Sequence, residues 1–172
     1  MEIREYQASD QNACLNIMRS NIPEYFHECD LADFAVFLEH LPGPFFVITD
    51  PGDGLIACGG IALGRTTPTE AVLCYGMVTE TRLRQGIGLE LLRKRLEFFL
   101  PREPQVEHIV VNTTQKTEGF FRNLGFSVME RELDGFGSGL DRVSLMALRD
   151  QVIRLLQEGI SECHLNFHNL SD

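Results

Sequence analysis

RLRQGIGLELLRKRL, residues Arg82–Leu96, carries two glycines one residue apart, with basic residues before them and apolar residues at helical spacing after them. Leu89, Leu92, Leu96 and Phe99 fall at i, i+3, i+7 and i+10, which predicts an amphipathic helix ended by Pro101. The preceding EAVLCYGMVTE reads as a strand. A strand that turns through glycines into a helix leaves the first helical N–H groups unpaired, and such groups bind anions. A tight turn calls for the same glycines, so the loop alone leaves both readings open. Spacing does exclude two phosphate loops. A P-loop needs Gly-Lys followed by Ser or Thr, whereas Gly86 precedes Ile87 and Gly88 precedes Leu89; a dinucleotide fingerprint needs a third glycine where Leu91 stands.

Working outward, Ile3–Tyr6 is expected as a strand, and Ser9 or Asp10 as the cap of a helix with Ala13, Ile17 and Met18 on one face. NIPEYFHECD reads as a loop turning at Pro23, followed by a helix bearing Phe34, Phe37, Leu38 and Leu41 that Pro42-Gly43-Pro44 ends. FFVITD and GLIACGGIALG flank the turn Pro51-Gly52-Asp53-Gly54, a hairpin signal. VEHIVVNT is β-branched and apolar, as expected of a strand buried on both faces. Thr114 is expected to cap a helix running to Leu124 and ended by Gly125, with FSVMERE and DRVSLMAL as two further strands. The order β, two helices, three strands, helix, strand, helix, two strands predicts an α/β (α+β) fold. Its sheet is mixed, with a parallel pair around the RQGIG helix and helices on its faces. The tail from Arg149, with Val152, Leu155, Leu156 and Ile160 at helical spacing, reads as a helical extension, so the division is 1–148 and 149–172.

A chain of 172 residues with 44% hydrophobic content supports one sizeable core. A net charge of −10 argues against nucleic acid as a partner, since phosphate recognition needs clustered positive charge. MEIREYQASD shows no basic segment leading into an apolar run, and no apolar stretch approaches membrane-spanning length, so neither membrane nor export is expected and the location is read as cytoplasmic. The five cysteines are odd in number and form no C-x-x-C pair, which points to free thiols. His164 and His168 share a helical face but lack a third ligand, so no metal is expected.

MVTETRLRQGIGLELL, then IVVNTTQKTEGFFRNLGF, then GSGLDRVSLMAL, resembles in order and spacing the GCN5-related N-acetyltransferase (GNAT) family over Ile3–Leu148. The resemblance implies an acyltransferase of mostly antiparallel sheet, one pair of strands being splayed for acetyl-CoA, which serves as acyl-donor substrate. It implies that the pyrophosphate lies on the backbone of Arg84, Gln85, Gly86, Ile87 and Gly88, and that Met77, Val78, Asn112 and Phe121 line the rest of the donor site. Two positions depart from the family pattern. Leu83 stands where Gln or Arg is usual, with Arg82 and Arg84 beside it, and Phe121 replaces a tyrosine thought to protonate the leaving thiolate. A phenyl ring has no proton to give.

The implied reaction is direct attack of an amine on the thioester, its oxyanion held by a backbone N–H near Gly76, where the family has a bulge. Expelling an unprotonated thiolate of pKa about 8.5 costs about 2 kcal/mol at neutral pH, which water, Tyr75 or Cys74 would offset. Deprotonating an amine of pKa about 10.4 costs roughly 4–5 kcal/mol, and Glu70 is the preferred base over Glu80. For Asn112 the other reading is a cap near Thr114. Asp141 and Arg142 are read as an ion pair, and Glu24, Tyr25 and His27 as candidates for the acceptor loop. The expected acceptor is a small amine or a protein amine, and the oligomeric state is left open, a homodimer included. The alternative function is an acetyl-CoA sensor with little catalysis, and a third reading makes the tail helix a partner-binding module.

Overall fold

The structure is a computed structural model and describes residues 1–157. Seven strands form one sheet in the order β1-β2-β3-β4-β5-β7-β6: β1 Glu2–Glu5, β2 Phe45–Asp50, β3 Gly54–Leu63, β4 Glu70–Val78, β5 His108–Thr113, β6 Ser127–Glu132 and β7 Arg142–Leu148. Every neighbouring pair is antiparallel except β4 and β5. The helices are α1 Gln11–Ser20, α2 Asp30–Glu39, α3 Ile87–Phe99, α4 Glu118–Asn123 and α5 Arg149–Gln157. The fold is thus the expected mixed sheet with one parallel pair and helices on its faces.

Alternation along the strands sorts the core into two faces. Cys14, Ile17 and Met18 of α1 and Phe34 and Leu38 of α2 pack on Phe45, Val47, Cys58 and Met77. On the other face Leu92, Leu96 and Phe99 of α3 meet Ala71, Leu73, Ile109, Val111, Val143 and Leu145. α1 and α2 cover only the β1–β4 half of their face. For that reason β5 is buried on one side alone, with Ile109 and Val111 inside and Asn112 exposed, and not on both sides as its apolar run suggested.

Local chemistry accounts for most boundaries. The Asp10 carboxylate accepts from the Gln7 N–H at 2.9 Å and from both terminal nitrogens of Arg4 at 2.7 and 2.8 Å, pinning the chain as it enters α1. Gly125, at φ +84°, closes α4 in a Schellman arrangement: its own N–H bonds Arg122 O and the Phe126 N–H bonds Phe121 O. α4 begins at Glu118 and not at Thr114, because Thr114 is buried in the preceding turn, where its carbonyl accepts from the Thr117 and Glu118 N–H groups.

α5 is anchored in the same core through Val152, and Gln151 donates to Gly125 O. At its start the Arg149 guanidinium donates to Leu100 O, Glu103 O and Val106 O, satisfying carbonyls beyond the end of α3. The remainder of the expected tail helix, with Ile160, Cys163, His164 and His168, lies outside the described residues. Among the described residues no helix is long and apolar enough to cross a membrane, and no cluster of metal-ligating side chains occurs.

Candidate active site

β4 carries the central irregularity. Cys58 pairs with Met77 and Gly60 with Cys74, so Gly59 alone faces both Tyr75 and Gly76. Two residues against one is a β-bulge. The strained residue is Tyr75, at φ +42°, while Gly76 keeps an ordinary φ. The extra residue resets the side-chain alternation: Ala71 and Leu73 face α3, whereas Tyr75 and Met77 face α1 and α2.

The same strand parts from β5. Pairing runs from Glu70↔His108 to Leu73↔Val111 and stops there, while β5 continues on β7 through Asn112↔Ser144 and Thr113↔Val143. A wedge-shaped cleft therefore opens beside Cys74–Val78. The Thr79 N–H reaches Ile56 O at 2.8 Å, so by ladder alternation the N–H groups of Gly76 and Val78 point away from β3, into this cleft.

The cleft leads to the glycine loop. Among the described residues, the backbone N–H groups of Arg84, Gln85, Gly86, Ile87 and Gly88 find no acceptor. Five consecutive free donors at the N-terminus of a thirteen-residue helix make an anion cradle. The two glycines differ in kind. Gly86, at φ +80°, is the left-handed residue before α3, and the turn itself requires it. Gly88 has no such φ, and a Cβ there would meet only Val78 Cγ2 at 3.8 Å, an ordinary contact. The protein's own packing does not require glycine at 88. An open helix end lacking a side chain suits a phosphate lying against the backbone, so this loop fits the pyrophosphate of coenzyme A.

Charged neighbours divide likewise. Arg82 is committed to the β2–β3 hairpin, bonding Asp53 at 2.5 Å and Asp50 at 3.4 Å. Arg84 forms no ion pair among the described residues. Leu83 packs on the cluster of Phe46, Ile56 and Leu91, an apolar role a glutamine or arginine would not fill.

The other expected site residues are placed as follows. Tyr75 packs its ring at a tilt against Phe34 and Phe37 at centroid distances of 4.7 and 4.6 Å, and its hydroxyl has no partner among the described residues. Burial raises its pKa, with Asp33 and Asp30 adding to the effect, so it holds its proton at neutral pH. Cys74 is a half-buried thiol also raised by burial. Met77 and Val78 are buried beside the cleft, but the Val78 carbonyl is already taken by Asn21 Nδ2 at 2.9 Å. Asn112 is exposed on the β5 face of the cleft and accepts from Ser144 Oγ at 2.6 Å; it caps no helix. Phe121 lies in the core, edge-on to Phe120 and Phe126. Glu70 sits in the closed, paired part of β4, four residues before Cys74, or about 13 Å along the strand.

Asp141 and Arg142 do not pair with each other. Side chains of adjacent residues diverge along an extended chain, and each meets β6 instead: Asp141 approaches Arg131 at 3.7 Å and Arg142 bonds Glu132 at 2.6 Å. On the far side of the cleft the loop between α1 and α2 is tied down. Glu24 pairs with Lys116 at 2.8 Å, and the His27 ring lies where a Cβ on Gly137 of the β6–β7 loop would be.

Two residues escape the sequence patterns. Asn21, 4% exposed, ties Ile17 O to Val78 O and fixes α1 to the end of β4. Arg95 lies on the buried face of α3 with Ile87, Leu91, Leu92, Leu96 and Phe99, and is itself 3% exposed. The signal available for it was position: it occupies a core site of the helical stripe, opposite a sheet that supplies Gly59, Gly60 and Gly76.

A splayed parallel pair, a bulged central strand and a row of acceptorless N–H groups at the next helix together frame one continuous cleft. The chain belongs to the acetyltransferase (GNAT) family, whose sequence profile matches residues 12–126, and it is accordingly an acyltransferase that performs acetyl transfer. No curated protein matches it in sequence. Among solved structures it is similar to ribosomal-protein-alanine N-acetyltransferase from Brucella melitensis (19% identity, TM-score 0.68, covering 86% of this chain and 99% of that one). It is also similar to ribosomal-protein-S18-alanine N-acetyltransferase from Escherichia coli (17%, 0.69, 86% and 92%). A third similar structure is an aminoglycoside 6'-N-acetyltransferase complexed with coenzyme A (14%, 0.68, 87% and 97%). At such identities the likeness establishes the fold.

Proposed function

We propose that this protein transfers the acetyl group of acetyl-CoA to a primary amine of a small molecule or of a protein. The observation that carries the reading is the run of five acceptorless N–H groups at Arg84–Gly88, continuous with the cleft beside Cys74–Val78. The coenzyme A complex of the aminoglycoside acetyltransferase supports the donor, and the named acceptors of the similar structures, an aminoglycoside and ribosomal-protein alanine, are both amines.

Acetyl-CoA supplies the acyl group as a thioester. In this reading the backbone of Arg84–Gly88 holds the pyrophosphate, Arg84 adds charge at its rim, and the edge of β4 positions the arm. The Gly76 N–H then takes up the oxygen charge that develops as the amine attacks. A cationic acceptor first gives one proton to water, the free amine forms the C–N bond, the C–S bond breaks with its electron pair on sulfur, and the second nitrogen proton then passes to water. Glu70 is too distant for direct contact and acts only through water. Asp30 and Asp33, whose charges reach Tyr75, favour an acceptor that arrives as a cation.

Calorimetric titration with acetyl-CoA, followed by thiol release against a panel of amines, tests the proposal. Binding with amine-dependent release is expected. Binding without release from any amine would favour the sensor function, and absence of binding would overturn the assignment of the loop.

A further inference from the structure

Arg95 is a buried charge that no carboxylate among the described residues balances. Its Nε donates to Leu91 O at 3.3 Å and its Nη1 to Gly60 O at 3.2 Å, while Nη2 has no partner among the described residues. No carboxylate acts on it; the ionisable groups that do are the Cys74 and Cys58 thiols. Burial pushes its pKa down to about 10, which leaves it charged at neutral pH. A buried cation without a counter-ion is destabilising, and such groups are retained where an anion is bound or formed.

The guanidinium lies where two side chains are missing. A Cβ on Gly59 would come within 3.2 Å of Nη1, and one on Gly76 within 3.0 Å of Nη2 and 3.1 Å of Nη1. Gly59 and Gly76 are the residues that face one another across the β4 bulge. The cation is therefore flush against the helix-facing side of Gly76, whose N–H points into the cleft.

We infer that Arg95 is the positioning residue of the reaction centre: it wedges the bulge and sets a fixed positive charge behind the Gly76 backbone, so that the sulfur of coenzyme A departs as a stabilised thiolate without a proton donor. This rests on the donor assignment made above. Phe121 has no proton to give, and burial raises the pKa of Cys74 and of Tyr75, which makes each a weaker acid toward a departing thiolate. A fixed positive charge favours the thiolate over the thiol, and an opposite charge close by lowers an ordinary thiol pKa, about 8.5, by about 1–3 units. The leaving group is then already an anion at neutral pH, and it exchanges protons with solvent after release. The other titratable groups around the bulge are Cys14 on α1, Cys58 on β3, Cys74 and Tyr75 on β4, and Asp30 and Asp33 on α2. The two carboxylates act on Tyr75 and not on Cys74 or Arg95.

The test is the thiol pKa of bound coenzyme A, read as the pH dependence of thiolate absorbance in the CoA complex minus that in the acetyl-CoA complex, so that protein thiols cancel. In the wild type the value is expected at least one unit below that of free coenzyme A. Arg95→Met should return it to the free value and lower kcat about 100-fold, with the dissociation constant for acetyl-CoA, which has no titrating thiol, changed less than threefold. Arg95→Lys should keep most of the pKa shift. An unshifted thiol in the wild type, or a shift that survives in Arg95→Met, would overturn the inference while leaving the donor assignment intact. Failure of the wild type to bind CoA would overturn both. If Arg95→Met does not fold, Arg95→Gln, which keeps hydrogen-bond donors but carries no charge, is expected to return the thiol to its free value, and a retained shift there would overturn the inference.

Discussion

Gly86 and Gly88 answer to different demands, and single substitutions separate them. Gly88→Ala places a methyl group in open space inside a helix, where alanine is favoured over glycine by about 0.5–1 kcal/mol. Thermal unfolding should show equal or higher stability, while calorimetry shows acetyl-CoA affinity reduced tenfold or more. A loss of stability would mean that Gly88 serves the fold and not the ligand. Asp10 gives a second residue-scale prediction. Its hydrogen bonds from Arg4, and then the Gln7 N–H, hold its pKa below the ordinary carboxylate value despite the opposing effect of burial. A depressed folded-state pKa contributes stability above the unfolded value, near 3.9, and that contribution is lost as pH falls through the folded value. Asp10→Asn should therefore cost about 1–2 kcal/mol at pH 7, with the gap to wild type closing below about pH 4 in denaturant titrations.

At the scale of elements, the bulge and α3 are one unit. Gly76→Ala would drive a methyl group into the Arg95 guanidinium, at a cost of about 1–3 kcal/mol. In an Arg95→Ala background that clash disappears, so a double-mutant cycle should give a coupling of at least about 1 kcal/mol; additive effects would show that the two do not touch. This contact also marks the limit of what was legible in the chain. Periodicity read α3 through Leu92, Leu96 and Phe99 because apolar residues announce a buried face, and the same rule passed over Arg95, since a charge is ordinarily read as solvated. The bulge was legible from a glycine inside a strand, but its strained residue proved to be Tyr75, whose φ depends on pairing with β3. Likewise the apolar run of β5 predicted two covered faces, and only the placement of α1 and α2 leaves one open. The helix-ending Gly125 and the β2–β3 hairpin needed no tertiary information, because each rests on residues a few positions apart. Glu70 shows the reverse: its distance along β4 was countable from the sequence, yet that it lies in the closed part of the strand followed only from where the pairing with β5 runs.

Across the whole molecule, the sheet is joined at its middle by four residue pairs, Glu70↔His108 to Leu73↔Val111. On either side lie antiparallel blocks, β1–β4 and β5–β7, with α1 and α2 on the first and α3 packed across both. Such a seam divides the sheet into two units of cooperative opening, and amides at the ends of β4 and β5 should exchange with deuterium faster than those of β3 or β7. A donor whose arm hydrogen-bonds along the cleft occupies the place of the missing strand contacts. Acetyl-CoA should accordingly slow exchange at Gly76, Val78 and the glycine loop together, and draw two separate openings into a single one. Equal exchange with and without the donor would show that the cleft stays empty. The substrate would then be the last structural element of the sheet, and turnover would leave the protein periodically incomplete.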